Sequence, residues 1–222
     1  MEAEAVRQLR DAFARRLPLL AGAAEQLEGL ARAGLDGTDH HHVDRVYFRV
    51  KSASSFVDKV LSRITEPPYS NPLSQVEDQI GGRVLVLFRH DIEPVVQILE
   101  QTFNRVELTH RTPQKDAEFG YESTHLICHI PDQARPTGWD REASMPETFE
   151  LQVRTLFMHA WAEPQHDLGY KGPTDLTSDQ RRHLAWIAAS AWGADRGLED
   201  AWSDIGLRGL GPERGAEDGS GP

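Results

Sequence analysis

The chain of 222 residues is long enough for one domain with peripheral helix. Its 24 basic and 35 acidic residues leave a net charge of −11. That balance argues against a broad nucleic-acid surface, where phosphate contacts dominate affinity, and leaves nucleotide chemistry in a local basic pocket open. A single cysteine, Cys128, excludes an intramolecular disulfide and a cysteine-based zinc site. No apolar run approaches the ~20 residues of a membrane span. The start Met1-Glu2-Ala3-Glu4 lacks the apolar stretch of a signal peptide, so a cytoplasmic location is expected.

Residues 3–33, with Leu9, Phe13, Leu17 and Leu20 at helical spacing, predict a helix that Pro18 should bend or split. A loop follows over 34–42. Its run His40-His41-His42 is not expected to bind a metal, because adjacent side chains cannot all face one ion. Residues 46–50 alternate as a strand, and a helix over 52–63 follows, with Ser55 and Asp58 as a capping pattern. The stretch 67–72 reads as a loop, 83–88 as a buried strand, and Asp91 as the cap of a helix over 92–103. That helix has Ile92, Val95, Val96, Leu99 and Phe103 on its apolar face.

A strand over 105–109, a mobile loop over 110–120 and strands over 123–130 and 148–153 come next. Cys128 falls within the second of these strands and reads as a buried residue. A helix from about Thr155 should kink at Pro164, and an amphipathic helix over 177–204 carries Leu184, Trp186, Ile187, Trp192 and Trp202. The Gly-rich acidic tail from Arg208 is expected to be disordered. The whole predicts an α/β (α+β) fold, a mixed sheet with helices packed on it, because consecutive strands in mid-chain argue against a purely parallel sheet. Its parts are a helical segment over 1–44, a central domain over 45–175, a helix over 176–207 and a tail over 208–222.

Four clusters carry chemistry. Arg49 and Lys51 alternate off one face of an extended segment, and Ser55 and Lys59 are spaced i,i+4 on the helix after it. The helix start adds free N–H groups, which completes a phosphate site, although a solvated basic face explains the cluster equally. In Glu77-Asp78-Gln79-Ile80-Gly81-Gly82-Arg83, the glycines let a ligand approach the backbone. Asp78 is a hard oxygen ligand suited to magnesium, and Arg83 can stack on a base while staying charged. The alternative is a turn with an ordinary acid. Tyr121, Ser123 and His125 share one face if 120–125 is extended, which holds a base against an aromatic ring, or else they are a core Tyr and a satisfied His. Glu150, Gln152 and Arg154 share one strand face opposite Leu151 and Val153, a costly row unless it meets a ligand or itself.

In this order and at these separations, Arg49-x-Lys51-x-x-x-Ser55, Asp78-x-x-Gly81-x-Arg83, Gly120-Tyr121-x-Ser123-x-His125 and Glu150-x-Gln152-x-Arg154-Thr155 resemble the synthetase domain of the RelA/SpoT family. The length resembles its small stand-alone alarmone synthetases. The resemblance implies a nucleotidyltransferase-like sheet and transfer of pyrophosphate from ATP to the 3′-hydroxyl of GDP or GTP with Mg2+. By that likeness Arg49 and Arg83 clasp the adenine, and Lys51, Ser55 and Lys59 hold the ATP phosphates. Asp78 binds magnesium, and Glu150 binds it or takes the 3′-hydroxyl proton. Tyr121 stacks on the acceptor guanine, with His125, Gln152, Arg154 and His159 around it.

The same scaffold admits a toxin-type enzyme, whose acceptor is the tRNA 3′ end or an adenine nucleotide, and a silent nucleotide-binding or oligomerisation module. Intact Asp78 and Glu150 argue against the silent form. The net charge, and the nearly neutral stretch holding Arg111, Lys115, Asp116 and Glu118, favour a free nucleotide over tRNA. Glu122 departs from the pattern, being an acid where small synthetases often carry a basic or amide residue. His90-Asp91 and His166-Asp167 mimic the metal pair of alarmone hydrolases. Hydrolysis is not expected, since Asp91 reads as a helix cap and the further upstream metal-binding histidine and the distant aspartate are not evident. The Trp-rich last helix is a candidate face for a second copy of the chain.

Overall fold

The computed structural model describes residues 2–36, 42–62, 68–113, 119, 122–170 and 176–209. In chain order the elements are α1 (Glu2–Leu35), β1 (Val43–Val50), α2 (Ala53–Ser62), the single turn α3 (Pro72–Gln75), β2 (Ile80–Val86) and α4 (Ile92–Thr102). Then come β3 (Arg105–Arg111), β4 (Ser123–His129), β5 (Thr148–Thr155), α5 (Leu156–Tyr170) and α6 (Ser178–Gly209). The strands form one sheet in the order β1-β2-β5-β4-β3. Only β2 and β5 run parallel among its pairs, so the sheet is mixed, as expected.

Strand alternation sorts the side chains onto two faces. One face is apolar: Phe48 lies opposite Gly82, Gly82 opposite Leu151, Leu151 opposite Leu126, and Leu126 opposite Leu108. A Cβ on Gly82 would stand 2.6 Å from both Leu151 and the Phe48 ring, so close packing of neighbours demands glycine there. Helices α1, α2 and α4 join this face in one core. Phe13 of α1 stacks on Phe56 of α2 at 4.1 Å, and the Phe149 ring meets Phe103 at 5.1 Å. Helix α1 also guards the outer edge of β1: Glu28 accepts the Phe48 N–H at 3.1 Å, and Arg32 donates to the Val46 carbonyl.

Several local expectations are corrected. Helix α1 is continuous through Pro18. The lost backbone hydrogen bond is offset by burial of Phe13, Leu20, Ala23, Ala24 and Leu27 on either side of it. Helix α5 holds Pro164 inside its span, the position at which the kink is expected. The cap of α2 is Ser52 and not Ser55: the Ser52 Oγ accepts the Ser55 N–H at 3.1 Å, and its carbonyl accepts the Phe56 N–H at 2.9 Å. Strand β2 occupies 80–86, which leaves Leu87 and Phe88 beyond its end.

Asp91 makes no side-chain cap on α4. Its backbone is helical (φ −78°, ψ −17°), whereas a capping side chain needs an extended residue to fold back on the first turn. It is buried, with its carboxylate 3.2 Å from His42 Nδ1. His42 thus lies upstream of the His90-Asp91 pair in sequence and beside it in the fold.

Cys128 is fully buried, and burial pushes its thiol up to about 12. Among the described residues no helix is long and apolar enough to cross a membrane. His40, His41, Pro67, Gly120, Tyr121, Lys171, most of the expected loop (114–118), the tail over 210–222, and the side chains of His166 and Asp167 lie outside the described residues.

Candidate active site

The second face of the sheet is polar, and pairing register assembles it. Arg49 lies opposite Gly81, Gly81 opposite Glu150, and Glu150 opposite Ile127. One step along, Tyr47 faces Arg83, Arg83 faces Gln152, and Gln152 faces His125. Arg154 faces Leu85 in the next row. Residues from all four sequence clusters thus meet on four adjacent strands. Gly81 is the open floor between Arg49 and Glu150, since a Cβ there would meet nothing within 4 Å.

At one end sits a carboxylate clamped by two cations. The Lys51 N–H bonds the Gln79 carbonyl at 2.9 Å, which fixes the exit of β1 against the turn Glu77–Gln79. Lys51 and Lys59 then place their Nζ atoms 2.9 Å from the two oxygens of Asp78. Ser55 is exposed on the first turn of α2, one turn before Lys59.

Glu150 lies at the centre. His125 Nδ1 is 2.7 Å from its Oε1, and the Gln152 amide donates to Oε2 at 3.0 Å. Burial alone would raise this acid. The bond and charge of His125, the Gln152 amide and the charge of Lys59 outweigh it and hold the carboxyl at about 2. Lys59 therefore acts on both Asp78 and Glu150.

At the other end Glu163 of α5 collects two guanidinium groups. Its Oε1 is 2.6 Å from Arg83 Nη1 and 3.0 Å from Arg154 Nη2. Burial is opposed by both arginines, which keep Glu163 below the usual carboxylate range. Arg83 also donates to the Tyr47 hydroxyl at 2.8 Å, and the buried Arg154 donates to His159 Nδ1 at 2.8 Å. Burial, then the Arg154 charge, lowers His159, which matches a neutral ring accepting that bond.

Of the expected residues, Arg49, Lys51, Lys59, Asp78, Arg83, His125, Glu150, Gln152, Arg154 and His159 share this face or its rim. Tyr121 lies outside the described residues. Sequence reasoning missed Tyr47 and Glu163. Both carried a signal: Tyr47 alternates with Arg49, and Glu163 falls four residues after His159 on the same helix face. It also missed the Thr155 hydroxyl, which caps Met158 at 3.1 Å and donates to buried Asp195 at 2.7 Å, tying α6 to β5. Glu122, the departure from the family pattern, is paired with Arg89 at 2.8 Å.

The Glu150 shift has a pH consequence. A carboxyl lowered from 4.5 to about 2 on folding contributes stability that is complete above pH 4.5 and lost as pH falls towards 2. At 1.36 kcal/mol per unit this is roughly 3 kcal/mol. Melting curves followed by circular dichroism from pH 6 to 2.5 should show the loss across that window. The Glu150→Gln chain should show a shallower fall, and parallel curves would contradict the assignment.

A family model described as "Region found in RelA / SpoT proteins" matches residues 48–175. The chain is 32% identical over 175 residues to the GTP pyrophosphokinase YjbM of Bacillus subtilis (strain 168), covering 75% of each chain. It is 29% identical over 156 residues to the GTP pyrophosphokinase YwaC of the same organism, covering 67% of this chain and 70% of that one. Among solved structures, the small alarmone synthetase 1 from B. subtilis superposes with a TM-score of 0.69 at 24% identity, over 89% of this chain and 99% of that one. The same synthetase bound to its product pppGpp gives 0.62 at 23% identity, over 86% and 97%.

Proposed function

The chain belongs to the RelA/SpoT family, and from that premise we propose that it is a GTP pyrophosphokinase: it moves the β,γ-pyrophosphate of ATP to the 3′-hydroxyl of GDP or GTP, with Mg2+, to make (p)ppGpp. The observation that carries this reading is the pair of carboxylates on an open polar face: Asp78, held by Lys51 and Lys59, and Glu150, held by His125 and Gln152. Hard oxygen donors beside cations are what a magnesium–triphosphate needs.

In the reaction the 3′-hydroxyl oxygen bonds to the β-phosphorus of ATP. The bond from that phosphorus to the α,β-bridging oxygen breaks, AMP leaves with the electron pair, and the hydroxyl proton passes to a base. Such a transfer depends on in-line placement and charge neutralisation more than on covalent help. Lys51, Lys59 and Ser55 hold the phosphates in this scheme. Arg49 and Arg83 flank the adenine, and Tyr121, His125, Gln152, Arg154 and His159 receive the acceptor.

Asp78 and Glu150 would hold Mg2+, whose chemistry is to neutralise charge on the phosphate oxygens. A carboxyl held at about 2 is a poor base near neutral pH, so the metal-binding role of Glu150 is favoured over the proton-accepting one.

Lys51 and Lys59 each reach one Asp78 oxygen at 2.9 Å, and the same two ammonium groups are the ones that would hold the phosphates. A triphosphate draws the lysines away and frees the carboxylate. By calorimetry, Mg2+ should therefore bind at least about fivefold more tightly with a non-hydrolysable ATP analogue present, a typical coupling. Equal affinity in both states would contradict this exchange.

The function itself is tested with ATP labelled in the transferred phosphates and a panel of GDP, GTP, GMP, ADP and deacylated tRNA. AMP should form only with an acceptor, and label should pass to GDP or GTP. Label on the tRNA 3′ end in preference, or ADP and phosphate without AMP, would overturn the proposal. We further propose that a second copy packs on α6, which exposes 69% of Trp186 and 67% of Ile205. A monomer in sedimentation equilibrium at micromolar concentration would refute that.

A further inference from the structure

Beyond the C-terminal end of β2, three side chains converge that the transferase reading does not use. His42 directly precedes β1, and His90 and Asp91 lie in the turn before α4. One ligand atom from each lies within 4.8 Å of the other two. Asp91 Oδ2 is 3.2 Å from His42 Nδ1, and Asp91 Oδ1 is 3.7 Å from His90 Nε2. The far nitrogen of His90, Nδ1, is 2.7 Å from Glu199 Oε1 on α6, and the His90 N–H donates to the same carboxylate at 3.3 Å. Apolar rings cover the cluster. Trp202 lies 4.9 Å from the His42 ring, and Phe88 lies 4.8 Å from His42 and stacks on His90 at 5.3 Å.

We propose that His42, His90 and Asp91 form a zinc site that fastens α6 to the end of the sheet. Two imidazoles and a carboxylate are a zinc donor set that leaves a fourth position for water. Bonds of about 2.0–2.1 Å in a tetrahedron set ligand atoms roughly 3.3 Å apart. The three ligand atoms lie within 4.8 Å of one another, with His42 and His90 facing different Asp91 oxygens, so small side-chain rotations, open to the exposed His90 and the partly exposed His42, would bring them to that spacing.

Glu199 does what an outer carboxylate does at such sites. It accepts a hydrogen bond from His90 Nδ1–H in the tautomer that leaves the Nε2 lone pair towards Asp91. The Asp91 side chain is only 2% exposed, and burying a carboxylate is costly unless charge and hydrogen bonds compensate it. A dication would supply such charge, and the rings of Phe88 and Trp202 flank the cluster while leaving it open to a water ligand. The ligands come from residues 42 and 90–91, and the outer carboxylate comes from residue 199, so the ion ties three distant parts of the chain together.

The full-length protein, stripped with a chelator, is titrated with Zn2+ and with Co2+. Cobalt should show the visible bands of a tetrahedral site, and a hundredfold excess of zinc over its Kd should raise Tm by about 5–10 °C. His90→Ala should abolish the cobalt bands. Glu199→Gln should weaken zinc roughly 10–100-fold, and it carries the test should His90→Ala fail to fold by circular dichroism. The double variant His40→Ala, His41→Ala and the variant Asp78→Asn should bind as the parent does. No binding by the parent, unchanged binding in both His90→Ala and Glu199→Gln, or loss of binding in either control variant would overturn the site.

Discussion

Replacing Glu150 by Gln, or Asp78 by Asn, is expected to lower turnover by at least ~100-fold, the scale for losing a metal ligand or a catalytic base. Both changes keep shape and remove charge. Asn at 78 still meets Lys51 and Lys59 but cannot neutralise either, so the two cations that hold Asp78 at 2.9 Å lose their partner. Gln at 150 keeps an acceptor for Gln152 and loses the charge that draws His125 to 2.7 Å.

The Glu150 variant should also lose up to about 3 kcal/mol of stability, because it resembles the protonated acid that the fold disfavours. AMP formation is therefore measured at saturating ATP and GTP, well below the unfolding midpoint, with circular dichroism alongside. Parent rates in either variant would remove the pair from the reaction.

The neighbouring residue on the same strand has the opposite expected effect. Phe149 points to the apolar face, is fully buried, and touches the rings of Phe103 at 5.1 Å and Phe48 at 5.9 Å. Phe149→Ala should cost about 3–5 kcal/mol through lost transfer energy and the cavity left behind. At roughly 2–4 °C per kcal/mol for a chain of this size, the melting midpoint should fall by about 6–20 °C. The molecules that remain folded at low temperature should turn over near the parent rate. An unchanged midpoint would mean that the core around β5 repacks, which the ring geometry argues against.

The contrast between residues 149 and 150 shows what residue order alone can reveal. Alternation in β5 separates Glu150, Gln152 and Arg154 from Phe149, Leu151 and Val153. The polar clusters and their spacing are legible for the same reason, because each is a local pattern. What stays hidden depends on contacts across long stretches of chain. Asp91 looks like a cap when read beside Ile92, and only the fold brings His42 to it from 49 positions away.

Glu163 is visible beside His159, but its hold on Arg83 requires β2 and α5 to meet. Local propensity lets Pro18 split α1, yet the helix runs unbroken. Propensity leaves out the buried residues flanking that proline. At Ser52 the reverse applies: a purely local cap reads three residues too late, since several serines in a row offer several starts.

The place of β5 between β2 and β4 governs when activity can arise during synthesis. It is the last strand to leave the ribosome and the one that joins the two halves of the sheet. Before it emerges, the nascent chain can hold β1 with β2 and β3 with β4, each half complete in its own pairings. Neither half contains Glu150, and nothing aligns Arg83 with His125. A fragment that stops before residue 148 is therefore silent as a transferase, however well its halves fold. Until that moment β2 and β4 also present bare edges that a neighbouring chain can capture. Insertion of β5 covers both edges and brings Glu150, Gln152 and Arg154 onto the polar face in a single event.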